Sequence, residues 1–529
     1  MNRWLVLTLG LLFVMLGLQL HAVDAVKPIT LDELLTHARQ TQGLAADGAG
    51  RLTPLAGKGQ AHFRGVRAPY QLQMGSFGTF VESVEHRLGY QSGFNSKQCW
   101  RADADGYSQV LELMDRDLQL LVHWVHSGYW LHSQAPLHIQ LVAASKESPT
   151  LSLLVDMKNT KMKSKLELDR TTWLPKQLEY LATSGPVIWI FEDYRKVGGR
   201  SVAHCVIERH DRLTEKKEIE QAEQLSQEPA CNMPKSKPTS ITFKTDRSPK
   251  VETTRSTTGH LLVKALVNDK DMGWFIFDSG AGAMIIDPSV AKEMNMEAMG
   301  DILMVGLGGN QTSHFRLGQS FQLGQAVLRD PVFIELNMKP FAALMGHKIV
   351  GICGYPFIAR CLIEVEPVST KMEVHDPAQY QLVGGSWQEL VLHHNLPTVR
   401  ARFEGDREDY FRLDTGANTT VDFHTPAVRE YDLLVNRKTT PRLQGGVGGL
   451  VKMQQGTLEW FELGGVRFEH PVVGFAQSDK GAFADPYIAG NIGIGFMKSF
   501  RIVFNYPAKK IAFVRRGDTL DGGNTMLCR

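Results

Sequence analysis

Two aspartates close near-identical stretches of this chain. Asp278 ends the apolar run Phe275-Ile276-Phe277 and is followed by Ser279-Gly280-Ala281; Asp414 ends Phe411-Arg412-Leu413 and is followed by Thr415-Gly416-Ala417. A single Asp-Ser/Thr-Gly is an ordinary turn, in which Asp tolerates the geometry and Gly supplies positive φ. A carboxylate at the end of an apolar strand is another matter, because its desolvation is unfavourable without a partner. Two such turns brought together would set Asp278 beside Asp414, where both cannot be ionised at once and one proton is shared. The ionised member could then take a proton from a water held between them, while the protonated member hydrogen-bonds a scissile carbonyl. That chemistry needs no covalent intermediate, no cofactor and no metal, and the pair would titrate as a unit.

The elements that must position these turns are written twice. With Asp278 laid over Asp414, Val263 meets Val399, Ala265 meets Ala401 and Phe275 meets Phe411, all at an offset of 136. Farther on, the run Gly306, Gly308, Gly309 answers Gly446, Gly448, Gly449 at an offset of 140, and Leu323-Gly324 answers Leu463-Gly464. Gly351, Gly354 and Phe357 then answer Gly490, Gly493 and Phe496. Four landmarks recurring in order make an internal repeat, so one chain carries two copies of one structural unit.

The remainder divides by composition. At 529 residues the chain is long enough for about three domains. Its 58 Lys plus Arg against 56 Asp plus Glu leave no field to recruit nucleic acid. Residues 1–25 read as a signal peptide, with Arg3 ahead of an apolar run from Trp4 to Leu20 and small residues near Ala25; retention of that run as an N-terminal membrane anchor is the alternative. A periplasmic or secreted location is therefore expected. Residues 26–224 open with a helix-like Thr30–Thr41 and continue in period-two alternation, which predicts an antiparallel β-rich accessory domain. Residues 225–254, rich in Pro, Ser, Thr and Lys, read as a solvated linker, so the accessory domain is expected to fold apart from the repeats. Of the six cysteines none lies in a Cys-x-x-Cys pair or beside His at ligand spacing, which argues against zinc; Cys353 and Cys361 are either bridged or two buried thiols. The motifs of zinc peptidases, serine hydrolases and P-loop enzymes are missing.

Residues 255–515 resemble the retropepsin-like aspartic proteases, on Asp278-Ser279-Gly280-Ala281, Asp414-Thr415-Gly416-Ala417 and the Gly segments around residues 352–357 and 492–496. The resemblance implies a mainly β protein with two tandem closed-barrel lobes, 255–385 and 386–517, before a short tail, 518–529. It implies Asp278 and Asp414 as the catalytic pair, and Ser279, Gly280, Thr415 and Gly416 as the loops that brace it. It further implies the glycines of 306–309 and 446–449 as flap tips over a peptide or protein substrate in extended conformation, in a monomer with pseudo-dimeric lobes. The accessory region is weakly similar to the curved half-barrels of outer-membrane lipoprotein-sorting proteins, which implies a seat for a lipid or hydrophobic peptide. A non-catalytic carrier of lipoprotein or peptide is the rival to an exported endopeptidase.

Overall fold

The computed structural model describes residues 29–142, 148–183, 185–211, 213–236, 238–305, 310–446 and 449–515. The expected signal peptide and C-terminal tail lie outside them, as do Gly306, Gly308, Gly309 and Gly448.

The helix Leu31–Thr41 starts at a reciprocal cap: the Thr30 hydroxyl accepts from the Glu33 amide at 3.2 Å, and the Glu33 carboxylate accepts from the Thr30 amide at 2.8 Å. Next comes a 13-stranded antiparallel sheet whose first strand, Leu55–Phe63, pairs with its last, Leu213–Gln224. The chain therefore winds out to one edge, crosses by the helix Leu113–Ser127 to the other edge, and winds back to the centre. That helix buries Leu120, Leu121, Trp124 and Val125 against Phe80, Leu153, Leu166, Leu178 and Phe191 of the sheet.

The repeat is structural. In the first copy Phe321 meets Phe275 and Phe357 edge-on, both with ring centres 5.3 Å apart; in the second Phe461 meets Phe411 and Phe496 edge-on, both at 5.2 Å. Each such pair contributes about 0.5–1.5 kcal/mol beyond area burial. Each aspartate-bearing strand, Lys270–Phe277 or Arg407–Asp414, runs parallel to the glycine-rich strand of its own copy, Ile349–Cys353 or Gly490–Gly493. Glycine is required where that strand gives way to a helical turn: a Cβ on Gly354 would stand 2.2 Å from the Ala283 carbonyl oxygen, and one on Gly493 would stand 2.3 Å from that of Thr419.

Two expectations need correction. The lobes are mainly β and curved, but among the described residues neither sheet closes. The first runs from an edge at Ile241–Phe243 to one at Glu297–Val305, the second from Thr440–Gly446 to Val466–Glu469. The late strands that could complete a ring, Leu362–Glu366 and Phe500–Asn505, pair instead with each other in a five-stranded sheet shared by both copies. Nor is 225–254 a solvated tether. Cys231 is buried and its carbonyl accepts from Trp100 Nε1 at 2.9 Å; Ser240 donates to Asp105; and Ile241–Phe243 adds a strand to the first copy. Five cysteines, Cys99, Cys205, Cys231, Cys353 and Cys361, are buried free thiols, so the 353–361 bridge is not made.

Candidate active site

Both aspartates sit where a strand ends in a tight turn, and the two turns are locked together by reciprocal hydrogen bonds. The Ser279 amide donates to Thr415 Oγ1 at 2.9 Å and the Thr415 amide to Ser279 Oγ at 3.0 Å. Each hydroxyl then donates across to the opposite strand, Ser279 Oγ to the Leu413 carbonyl at 2.8 Å and Thr415 Oγ1 to the Phe277 carbonyl at 3.0 Å. All four bonds are buried, so each group has its partner where water cannot supply one.

This lock brings each carboxylate over the glycine of the other turn. A Cβ on Gly280 would lie 2.5 Å from Asp414 Cγ, and one on Gly416 would lie 2.4 Å from Asp278 Cγ. Only glycine leaves that space. Each carboxylate also accepts from its own turn, Asp278 Oδ1 from the Gly280 amide at 2.8 Å and Asp414 Oδ1 from the Gly416 amide at 3.0 Å. The structure therefore brings together Asp278, Ser279, Gly280, Asp414, Thr415 and Gly416, all singled out in the sequence. Gly446 and Gly449 face each other at the exposed end of the hairpin formed by Thr440–Gly446 and Gly449–Thr457.

Burial, then the proximity of Asp414, holds the Asp278 carboxyl well above the ordinary aspartate range. Burial raises Asp414 too, but the Arg412 guanidinium and the Gly416 amide oppose the rise. The environments differ because the copies differ beneath the turns. Asn491, 2% exposed, donates from Nδ2 to Asp414 Oδ2 at 3.0 Å; the equivalent residue under Asp278 is Ile352. Arg412, also buried, stands where the first copy has Ile276. His260 adds a third asymmetry, its Nε2 lying 3.0 Å from the Gly416 carbonyl with Thr258 Oγ1 2.7 Å from Nδ1, so the imidazole links Thr258 to the second turn. Sequence reasoning missed Asn491, Arg412 and His260. The available signal was a polar residue in one copy opposite an apolar one in the other.

Residues 263–357, the first copy of the repeat, match the aspartyl protease family model. An aspartic proteinase from Irpex lacteus is similar over 51% of this chain and 98% of its own, at 11% identity and a TM-score of 0.33. A LolA-superfamily protein from Nitrosomonas europaea is similar over 38% of this chain and 96% of its own, at 14% identity and a TM-score of 0.27. No curated protein sequence gives a significant match. The family match supports a protease-like function.

Proposed function

We propose that this chain is an exported aspartic endopeptidase that hydrolyses peptide bonds with Asp278 and Asp414. The observation that carries the reading is the pair of carboxylates facing each other across mutually bonded turns, each over the other's glycine. In the resting pair one proton is shared. Asp414 is the better stabilised anion, with Asn491 and Arg412 beside it, and Asp278, lying above Ile352, holds the proton. A water between them loses a proton to Asp414 as its oxygen adds to the peptide carbon, while Asp278 gives its proton to the carbonyl oxygen. In the collapse of the tetrahedral intermediate, Asp414 returns its proton to the leaving nitrogen and the carbonyl re-forms as Asp278 regains its own. The hairpins formed by Glu297–Val305 with Asn310–Leu317 and by Thr440–Gly446 with Gly449–Thr457 would close over an extended peptide, and the exposed Val305, Leu443 and Leu450 give them apolar contact surface.

Digestion of a mixed peptide library by the purified chain, with and without a statine-type inhibitor, tests the reading. Inhibitable cleavage within peptides is expected. No cleavage anywhere from about pH 3 to pH 8 would contradict it.

A further inference from the structure

Away from the aspartate pair, three ligand-type side chains converge where the N-terminal sheet meets the second copy of the repeat. Asp115 comes from the first turn of the helix Leu113–Ser127, His393 ends the strand Val391–His393, and His394 begins the turn after it at φ 53°. One donor atom from each lies within 4.8 Å of the others. Asp115 already holds His394, with Oδ1 3.0 Å from His394 Nδ1 and Oδ2 accepting the His394 amide at 2.6 Å.

His393 makes the cluster more than an ion pair. Its side chain is fully buried, and its Nε2 lies 2.7 Å from Oδ2 of Asp485, which is also fully buried. With Nε2 donating to Asp485, the neutral ring carries its lone pair on Nδ1. That Nδ1 is sealed from solvent and has no hydrogen-bonding partner among the described residues. A buried acceptor without a partner is disfavoured, and each one calls for an explanation. A carboxylate behind an imidazole whose other nitrogen is free is the arrangement that orients a metal-bound histidine and raises its basicity.

We propose that Asp115, His393 and His394 form a binding site for a divalent cation of the zinc class. Two imidazole nitrogens and one carboxylate oxygen suit Zn2+, and three protein ligands leave one position for water. The cation ties the N-terminal helix to the second copy of the repeat. His394 itself stands beside the first copy, its carbonyl oxygen 3.5 Å from where a Cβ on Gly282 would lie, in the turn that follows Asp278. Asp115 and His394 are 279 residues apart, so no local spacing could announce the site. The proposal is independent of whether the aspartate pair cleaves peptides.

The test uses the full chain, stripped with a chelator and titrated calorimetrically with Zn2+, alongside Co2+ as an absorbing substitute. One Zn2+ per chain is expected, with Co2+ giving the intense visible bands of a four- or five-coordinate site and Zn2+ raising the thermal midpoint. Asp115→Asn and His394→Asn should each weaken Zn2+ binding by about 100-fold or more and abolish the thermal gain, and Asp485→Asn should weaken it by about 10–100-fold. His394 is 38% exposed and Asn accepts its positive φ, so His394→Asn carries the test if the buried variants misfold. Failure of the folded wild-type chain to take up Zn2+, or uptake unchanged in folded His394→Asn, would overturn the site.

Discussion

At the scale of single residues, the two aspartates are chemically unequal because their neighbours are. Asn491 gives Asp414 a buried donor that Asp278 lacks, and a hydrogen bond to a charged group is worth about 1.5–3 kcal/mol. Asn491→Leu, similar in volume, should therefore raise the lower of the pair's two titration steps. The active form carries one proton, so activity appears as pH rises through that step, and raising it moves the acid limb of kcat/KM to higher pH. A shift of about one unit is expected, with KM nearly unchanged. A profile that stays in place would show that Asn491 does not set the ionisation. Burial raises both carboxyls, so the acid limb of the wild-type profile should lie above the ordinary aspartate range of about 4. An optimum near pH 3 would refute that. The aspartates were legible because a repeated motif stands out against one sequence. Asn491 was not: a single polar residue in a Gly-Ile run looks like core packing until the carboxylate it meets is known.

At the scale of elements, the turns depend on the crossing hydrogen bonds and on the space over the glycines. Thr415→Val removes the acceptor of the Ser279 amide and the donor to the Phe277 carbonyl, leaving buried groups unpaired. The expected loss of stability is about 1–3 kcal/mol in denaturant unfolding, largely recovered by Thr415→Ser. Equal stability of the Val and Ser variants would mean that the lock is incidental. Gly416→Ala places a methyl 2.4 Å from Asp278 Cγ and should remove turnover in a chain that still folds; retained turnover would contradict the packing. The twofold copy and the apolar strand ahead of each aspartate could be anticipated from the repeat. Closure could not. Whether Leu362–Glu366 completes its own sheet or joins Phe500–Asn505 is decided by a pairing across some 140 residues, and no local pattern encodes that.

At the scale of the whole molecule, the N-terminal sheet is fastened to the repeats rather than tethered near them. Arg360 pairs with Asp103 and Asp105, the Tyr355 hydroxyl donates to Gln109, and Tyr107 is part of the same core as both copies. The segment 225–254 looked solvated because its Ser, Thr and Lys show no apolar period, but it is held by polar contacts that composition does not reveal. A chain beginning at Val251 should uncover the surface around Tyr355 and Arg360, and lose solubility or unfold at a lower temperature than the full chain. Unchanged solubility and midpoint would show the docking to be dispensable. The central claim, that the sequence repeats itself so that one chain builds one carboxylate pair, is tested most directly by kcat/KM of Asp278→Asn and Asp414→Asn in the full chain. Each should lose about a thousandfold or more with its unfolding midpoint kept, and refolding the two variants together should restore nothing. Substantial turnover in either single variant, or recovery on mixing, would contradict it.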